Sequence, residues 1–328
     1  MLSKALRWVL ASILGVCIVV TGWFLLQAYP LGGPGRLVSV TVQPGDSLAT
    51  VAGKLHSKGV IASPFAFRLD LILGAPTVYP GTYRLHQNSS FAAVKGVLSS
   101  PVITVVPGLT LHEVALQVAA REGAIYADHF VTAATAAAAT NPFHPDGSLE
   151  GLIGAGQYRI TPQTTPKGLL GEMTATFSAQ AAALGLTPST TRDGLSAYQL
   201  IIAASIVDKE GYYPRNMPKV ARVIFNRLAR GGPLQMDATV LYALGLDGGT
   251  VTHAMLETKS PYNTYLVAGL TPTPICTVSP DAIKAVLNPP PGPWLYFTVV
   301  DRSGTEAFAT TFAQQMANER RAVTNGFG

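Results

Sequence analysis

Asp208-Lys209-Glu210-Gly211 closes a stretch, Ser196 to Val207, in which Leu200, Ala203, Ala204 and Val207 recur at helical spacing. Carboxylates at a helix C-terminus face the negative end of the macrodipole, so something else must keep them there. At ~100° per residue, with Val207 at the middle of the apolar stripe, Glu210 lies about 60° from the centre. Asp208 lies about 100° to the other side and Lys209 opposite. Glu210 therefore leans toward the buried side. A part-desolvated carboxyl at a helix C-terminus has its charged form disfavoured twice, which raises its pKa toward that of a general acid at neutral pH. Asp208 and Glu210 diverge by about 160°, so they cannot form a facing carboxylate pair. On this helix alone Glu210 reads either as a solvated terminal carboxylate or as a half-dry proton donor. Asp237 is the second candidate acid, and reads equally as the cap of a helix suggested by Ala238 to Leu244.

Three loops around these groups gather amides, hydroxyls and aromatic rings: Leu234 to Thr239, Ser260 to Tyr265, and Gly269 to Ile275. Such loops suit a sugar cleft. Other chemistries lack their residues. His56, His86, His112, His129, His144 and His253 are scattered, with no HExxH pair or tight ligand cluster. A serine triad has no GxSxG elbow to start from and there is no Gly-rich phosphate loop; no metal or cofactor is expected. Cys17 falls in an apolar run and Cys276 far away, so no disulfide is expected between them.

The chain that must position these groups has 328 residues, enough for two or three domains of ordinary size. Its formal charge of +5 suits anionic surroundings such as lipid headgroups or wall polymers. No Lys/Arg run tracks a phosphate backbone, which argues against nucleic acid. Lys4 and Arg7 precede an uncharged stretch, Trp8 to Ala28, of the ~20-residue length that crosses a hydrocarbon core. The basic flank predicts a cytoplasmic N-terminus and an exported remainder, with residues 8–28 in contact with membrane lipid. A cleaved signal would carry a shorter apolar region with a small-x-small site after it.

Beyond a Gly/Pro linker, Leu37 to Val42 alternates as a strand, and Pro44-Gly45-Asp46-Ser47 makes a turn and helix cap. Leu48, Val51, Ala52 and Leu55 then form one helical face. The same grammar returns 63 residues later, with Pro107-Gly108 and then Leu111, Val114, Ala115 and Val118. Gly81-Thr82-Tyr83-Arg84-Leu85 has its own echo in Gly156-Gln157-Tyr158-Arg159-Ile160. Two copies of a strand-helix unit argue for an α+β module and fall short of a solenoid. The first turn resembles the opening of LysM glycan-binding modules; a plain structural strand-turn-helix reads the residues as well. Further helices are expected from about Pro218 to Arg230, over Pro280 to Leu287 and from near Thr310, with a strand from Trp294 to Val300.

Over nearly everything from the membrane span to the C-terminus the sequence resembles the YceG-like family of endolytic murein transglycosylases, most specifically in its second half. Ser205-Ile206-Val207-Asp208-Lys209-Glu210 is similar to the family's SIVEKE. The run Val220 to Gly245 resembles its helix, Asn-Arg-Leu and Leu-Gln-x-Asp-x-Thr segments in order and spacing. SPYNTY at 260–265 and GLTPTPI at 269–275 resemble its Pro-rich loop. Departures are Asp208 for Glu, Gly211 for the usual Thr, and Leu149 to Ile160 in place of an aromatic Phe-Pro-Asp-Thr-Tyr run.

The resemblance implies an α+β fold: a transmembrane helix in 1–30, a LysM-like module over 31–100, and a mixed α+β catalytic domain over 101–328, with a second repeat unit at about 101–175. It implies a peptidoglycan lytic transglycosylase that cuts within glycan strands at the MurNAc-GlcNAc bond and leaves 1,6-anhydro ends. Glu210 matches the catalytic glutamate. Gln235, Asp237, Thr239, Ser260, Tyr262, Asn263 and Tyr265 match cleft residues. One carboxylate suffices there because the nucleophile belongs to the substrate. Two alternatives are a hydrolase using Glu210 and Asp237 through water, and a non-catalytic wall-binding scaffold. Shared membrane placement suggests peptidoglycan synthases as partners.

Overall fold

The computed structural model describes residues 4–74, 77–100, 102–143, 147–161, 164–211 and 213–326; His144 lies outside the described residues. By contacts the chain divides into two units. One runs to Val102 and takes in a short return from Arg159, and the other comprises the remainder.

The first unit opens with helix α1 (Lys4–Ala28). Its apolar part, Trp8–Ala28, is 21 residues long, enough to cross a membrane. There follow β1 (Leu37–Val42), α2 (Leu48–Ser57), α3 (Pro64–Gly74), β2 (Gly81–His86) and α4 (Phe91–Leu98). The two strands pair antiparallel, Leu37 opposite His86 through Val42 opposite Gly81. With period-two alternation, Val40 and Val42 of β1 and Tyr83 and Leu85 of β2 point to one face. Onto that face pack Val51, Ala52 and Leu55 of α2, Ala66, Phe67 and Leu71 of α3, and Phe91, Val94 and Leu98 of α4. The end of α1 joins the same core through buried Ala28, while Phe24 meets Phe91 edge-on at 6.2 Å.

The second unit contains β3 (Val102–Val105), α5 (Leu111–Glu122), α6 (Ala124–Ala138), β4 (Gly156–Arg159), α7 (Pro166–Ala183) and a small hairpin, β5 (Thr191–Arg192) with β6 (Leu195–Ser196). Next come α8 (Ala197–Glu210), α9 (Met217–Ala229), α10 (Asp237–Ala243), the single turn α11 (His253–Leu256) and α12 (Pro280–Leu287). The hairpin of β7 (Tyr296–Val299) and β8 (Glu306–Ala309) and the helix α13 (Phe312–Thr324) complete it. The repeated residues hold equivalent places. Ser47 caps α2 and Thr110 caps α5, and both helices bury a Val-Ala pair and the aliphatic residue one turn on. Tyr83 and Tyr158 are both buried, and each donates its hydroxyl to the carbonyl four residues earlier.

The middle of the second unit is α8. Ser196 and Gln199 form a reciprocal capping box at its start. From Ala197 to Val207 every residue but the capping Gln199 is buried, enclosed by α9, α10 and α12. Small residues at 203–205 let neighbours approach, and the one polar group among them is used twice. Ser205 Oγ donates to the Ile202 carbonyl at 2.8 Å and accepts the Ile275 amide at 3.0 Å, tying the Pro-rich loop to the helix. The Asn226-Arg227 pair of α9 is likewise structural. Asn226 donates to the carbonyls of Gly292 and Trp294, and Arg227 to those of Leu234 and Leu295. These bonds fix the two chain segments that flank the end of α8.

Removing the Ser205 hydroxyl leaves the Ile275 amide buried without an acceptor. Ser205→Ala is expected to cost about 1–3 kcal/mol, measured as a lower urea midpoint with an unchanged m-value.

Candidate functional site

Glu210 ends α8, and its Oε1 accepts the backbone amide of Ala238 at 2.9 Å. That amide belongs to the first turn of α10, so the carboxyl sits between the C-terminus of its own helix and the N-terminus of another. Sequence reasoning had only the first helix. The α10 amide favours the anion, as does the charge of Arg227, while burial and the charge of Asp237 oppose it. Burial is the largest effect, and the carboxyl is pushed up to about 7. Part of the side chain stays open to the cavities described next.

Two cavities share Glu210 and Asp237 in their walls. The larger, about 650 Å³, is bounded by Thr110 and His112 at the start of α5, by Glu150, and by Leu241, Tyr242 and the Gly245–Gly249 turn after α10. The other, about 550 Å³, is bounded by Phe297, Thr298 and Val299 of β7, Glu306 of β8 and Glu319 of α13. Glu210 thus stands where one hollow gives way to the next.

Its neighbours in sequence serve other elements. Asp208 is taken up by Ser279 at the start of α12, accepting its amide at 2.6 Å and its hydroxyl at 2.7 Å; burial lifts Asp208 to about 6 despite these bonds. Lys209 pairs with Asp247 at 2.7 Å. Gly211 has no space for a side chain: a Cβ there would lie 2.8 Å from both Met217 Cγ and the Val207 carbonyl. The hydrogen-bond partner of Glu210 is the Ala238 amide.

The expected cleft residues divide. Asp237 lines both cavities, but it does not cap α10 with its side chain; it is the first helical residue, and its Oδ1 accepts the Tyr265 hydroxyl at 2.6 Å. Gln235 is exposed at a left-handed backbone position, φ 51°, and its amide binds the Thr264 carbonyl. Thr239 and Asn263 are fully buried and work inside the wall. Thr239 binds the Met236 carbonyl and the Thr264 hydroxyl, while Asn263 donates to the carbonyls of Leu256 and Thr258. Ser260 Oγ accepts the Tyr262 amide. Tyr262 bonds Thr273 at 2.9 Å and packs its ring 4.9 Å from that of Tyr242, which does line the larger cavity. The Ser260–Tyr265 loop therefore braces the α10 wall from behind.

Two carboxyls of the groove went unnoticed in the sequence. Glu150, 5% exposed, accepts the Leu111 amide with both oxygens at 3.0 and 3.1 Å and the Tyr242 hydroxyl at 3.3 Å; burial raises it to about 7. Glu306 is 8% exposed and is raised to about 7, chiefly by burial and in part by the charge of Glu210. The signal for Glu150 was one charge inside the apolar run Leu149 to Ile153; for Glu306 it was a charge in a strand otherwise made of Ala and Phe. Among the described residues no group of three His, Cys, Asp or Glu side chains could hold a metal ion. Cys276 is buried with its thiol pushed well up, the state of an inert core cysteine.

Fold and site together define an α+β protein with an apolar leading helix and a groove centred on a carboxyl held between two helix ends. The chain belongs to the YceG-like family, whose sequence profile matches residues 40–321. It is 26% identical over 313 residues to the endolytic murein transglycosylase of Bacillus subtilis, covering 88% of this chain and 85% of that protein. It is 35% identical over 167 residues to that of Streptococcus pneumoniae strain R6, a match spanning 49% of this chain and 30% of the relative. A yceG-like protein from Listeria monocytogenes, solved by crystallography, shares the fold with a TM-score of 0.59, at 24% identity over 86% of this chain and 99% of that one.

Four carboxyls with raised pKa set the pH response. Glu150, Glu210 and Glu306 rise from 4.5 to about 7, and Asp208 from 3.8 to about 6. The folded protein then binds more protons than the unfolded chain between those values, so stability falls as pH rises across the window and levels off above it. Thermal melts are expected to show a lower midpoint at pH 8 than at pH 5, with the difference reduced in Glu306→Gln.

Proposed function

We propose that this protein is a membrane-anchored endolytic peptidoglycan transglycosylase with Glu210 as its proton donor. The observation that carries this reading is a carboxyl held near neutrality, part-open, where two cavities adjoin. An acid active at neutral pH needs a pKa near 7. Glu210 gives its proton to the glycosidic oxygen between N-acetylmuramic acid and N-acetylglucosamine as the bond from that oxygen to muramyl C1 breaks. The muramyl C6 hydroxyl then bonds to C1, and the Glu210 carboxylate takes the hydroxyl proton. No water is consumed, and a 1,6-anhydro end results.

The Ala238 amide suits this cycle, because it steadies the carboxylate during the interval between giving a proton and regaining one. A second carboxylate is unnecessary when the nucleophile is already attached to the reacting sugar. A cut within a strand requires room for sugars on both sides of the acid, and the shared position of Glu210 supports that. The names of the Bacillus and Streptococcus relatives support the same substrate.

In this reading α1 anchors the chain with its N-terminus in the cytoplasm, residues 31–100 form a LysM-like glycan-binding module, and residues 101–328 hold the groove outside the membrane. Peptidoglycan synthases are natural neighbours there. A crosslinking survey in cells that recovers none would remove them.

Glu210→Gln is expected to lower release of soluble products from purified murein sacculi by at least ~100-fold, with an unchanged circular dichroism spectrum. Wild-type rate should fall as pH rises through about 7, where Glu210 loses its proton. Mass analysis decides the route: anhydro ends support intramolecular attack, whereas reducing ends would assign hydrolysis through Glu210 and Asp237.

A further inference from the structure

Among the described residues, no donor comes within hydrogen-bond distance of either oxygen of Glu306, a buried carboxyl. The Asn216 amide gives one N–H to the Gly304 carbonyl at 3.0 Å and, from nearby, favours the Glu306 anion only weakly against the effect of burial. A carboxyl in that condition destabilises the fold relative to an apolar side chain of similar size. It also lines the 550 Å³ cavity, beside its cross-strand partner Val299 and with Phe297 in the same wall, in the same hollow as Glu210.

We propose that Glu306 is a sugar-binding group of this groove, hydrogen-bonded to a hydroxyl or acetamide of the sugar held in the cavity beyond Glu210. This deepens the glycan reading and rests on it. A neutral carboxyl offers one donor and further acceptor positions, which matches groups that themselves donate and accept. An anionic ligand would meet Glu210, Asp237 and Glu319 as well. A metal ion lacks a converging ligand set among the described residues.

The test is made in the full chain carrying Glu210→Gln, so that binding is read without cleavage, using soluble uncrosslinked glycan strands. Adding Glu306→Leu is expected to raise the thermal midpoint and weaken strand binding about tenfold, while Glu306→Gln keeps binding within about threefold. A Leu variant that binds as its parent does would overturn the role. So would one that binds weakly because it melts lower, since that marks a structural carboxyl. A parent that binds no glycan at all would instead bring down the function proposed for the groove, and this role with it.

A separate observation concerns α3. Phe65, Leu69, Ile72 and Leu73 are exposed at i, i+4, i+7 and i+8, Leu73 at 75%, with Arg68 beside them. An exposed apolar stripe of this kind marks an interaction surface. Helix α3 packs against α1, whose Phe24 enters the module core before its apolar run ends at Ala28. The module is therefore gathered around the last turn of a membrane-length helix.

We infer that the α3 stripe lies in the interfacial layer of the bilayer that α1 crosses, with Arg68 among the headgroups. The occupant can be tested with one full-length chain per lipid nanodisc, spin-labelled at Leu73→Cys or at Lys58→Cys in a Cys17→Ser background. The Leu73 label should be several-fold more accessible to oxygen than to an aqueous nickel chelate, and the Lys58 label the reverse. Equal access of the chelate to both would overturn the inference, and a second protein copy cannot mimic protection at one chain per disc.

Discussion

A helix buried without a break from Leu200 to Val207 can place charge only beyond that run, and α8 places three charges there in succession. Asp208, Lys209 and Glu210 leave the helix at ~100° intervals, and each is met by a different element. Ser279 of α12 takes the first, Asp247 beyond α10 the second, and the Ala238 amide of α10 the third. One helical turn thereby sets the positions of two helices and a loop. The angular spread that prevents Asp208 and Glu210 from acting as a pair lets each hold a separate wall.

Much of this was legible. Periodicity and caps give the course of α8, α9 and α12, and the lean of Glu210 toward the interior follows from one angle. Such reasoning tells which face is dry without telling what lies opposite it. The partner of Glu210 comes from the start of α10, so the charge that seemed doubly disfavoured has one compensating amide. The family resemblance matches Gln235, Thr239, Ser260, Tyr262 and Asn263 to cleft residues. The fold instead spends the Thr239 and Asn263 side chains inside the wall. Glu150 and Glu306 approach the groove from chain segments distant from α8, and no local pattern links them to it.

The repeated units differ in how the start of each helix is held. In the first, Asp46 holds the turn by accepting the Gln43 amide at 2.7 Å and Lys54 at 2.6 Å. In the second, Glu113 closes a capping box with Thr110, and the amide of Leu111 is given to Glu150. The start of α5 thus contributes to the larger cavity, whereas its counterpart in α2 is settled by its own turn. A helix N-terminus that binds a carboxyl fixes the orientation of that group toward the groove at little conformational cost.

The way α1 ends bears on how the protein can be handled. Phe24 and Ala28 are core residues of the first unit as well as the last part of the apolar helix. A chain shortened to begin after Ala28 would lose an aromatic neighbour of Phe91 and open a void beside it. The leading helix is thus a component of the folded body, and trimming it weakens the first unit.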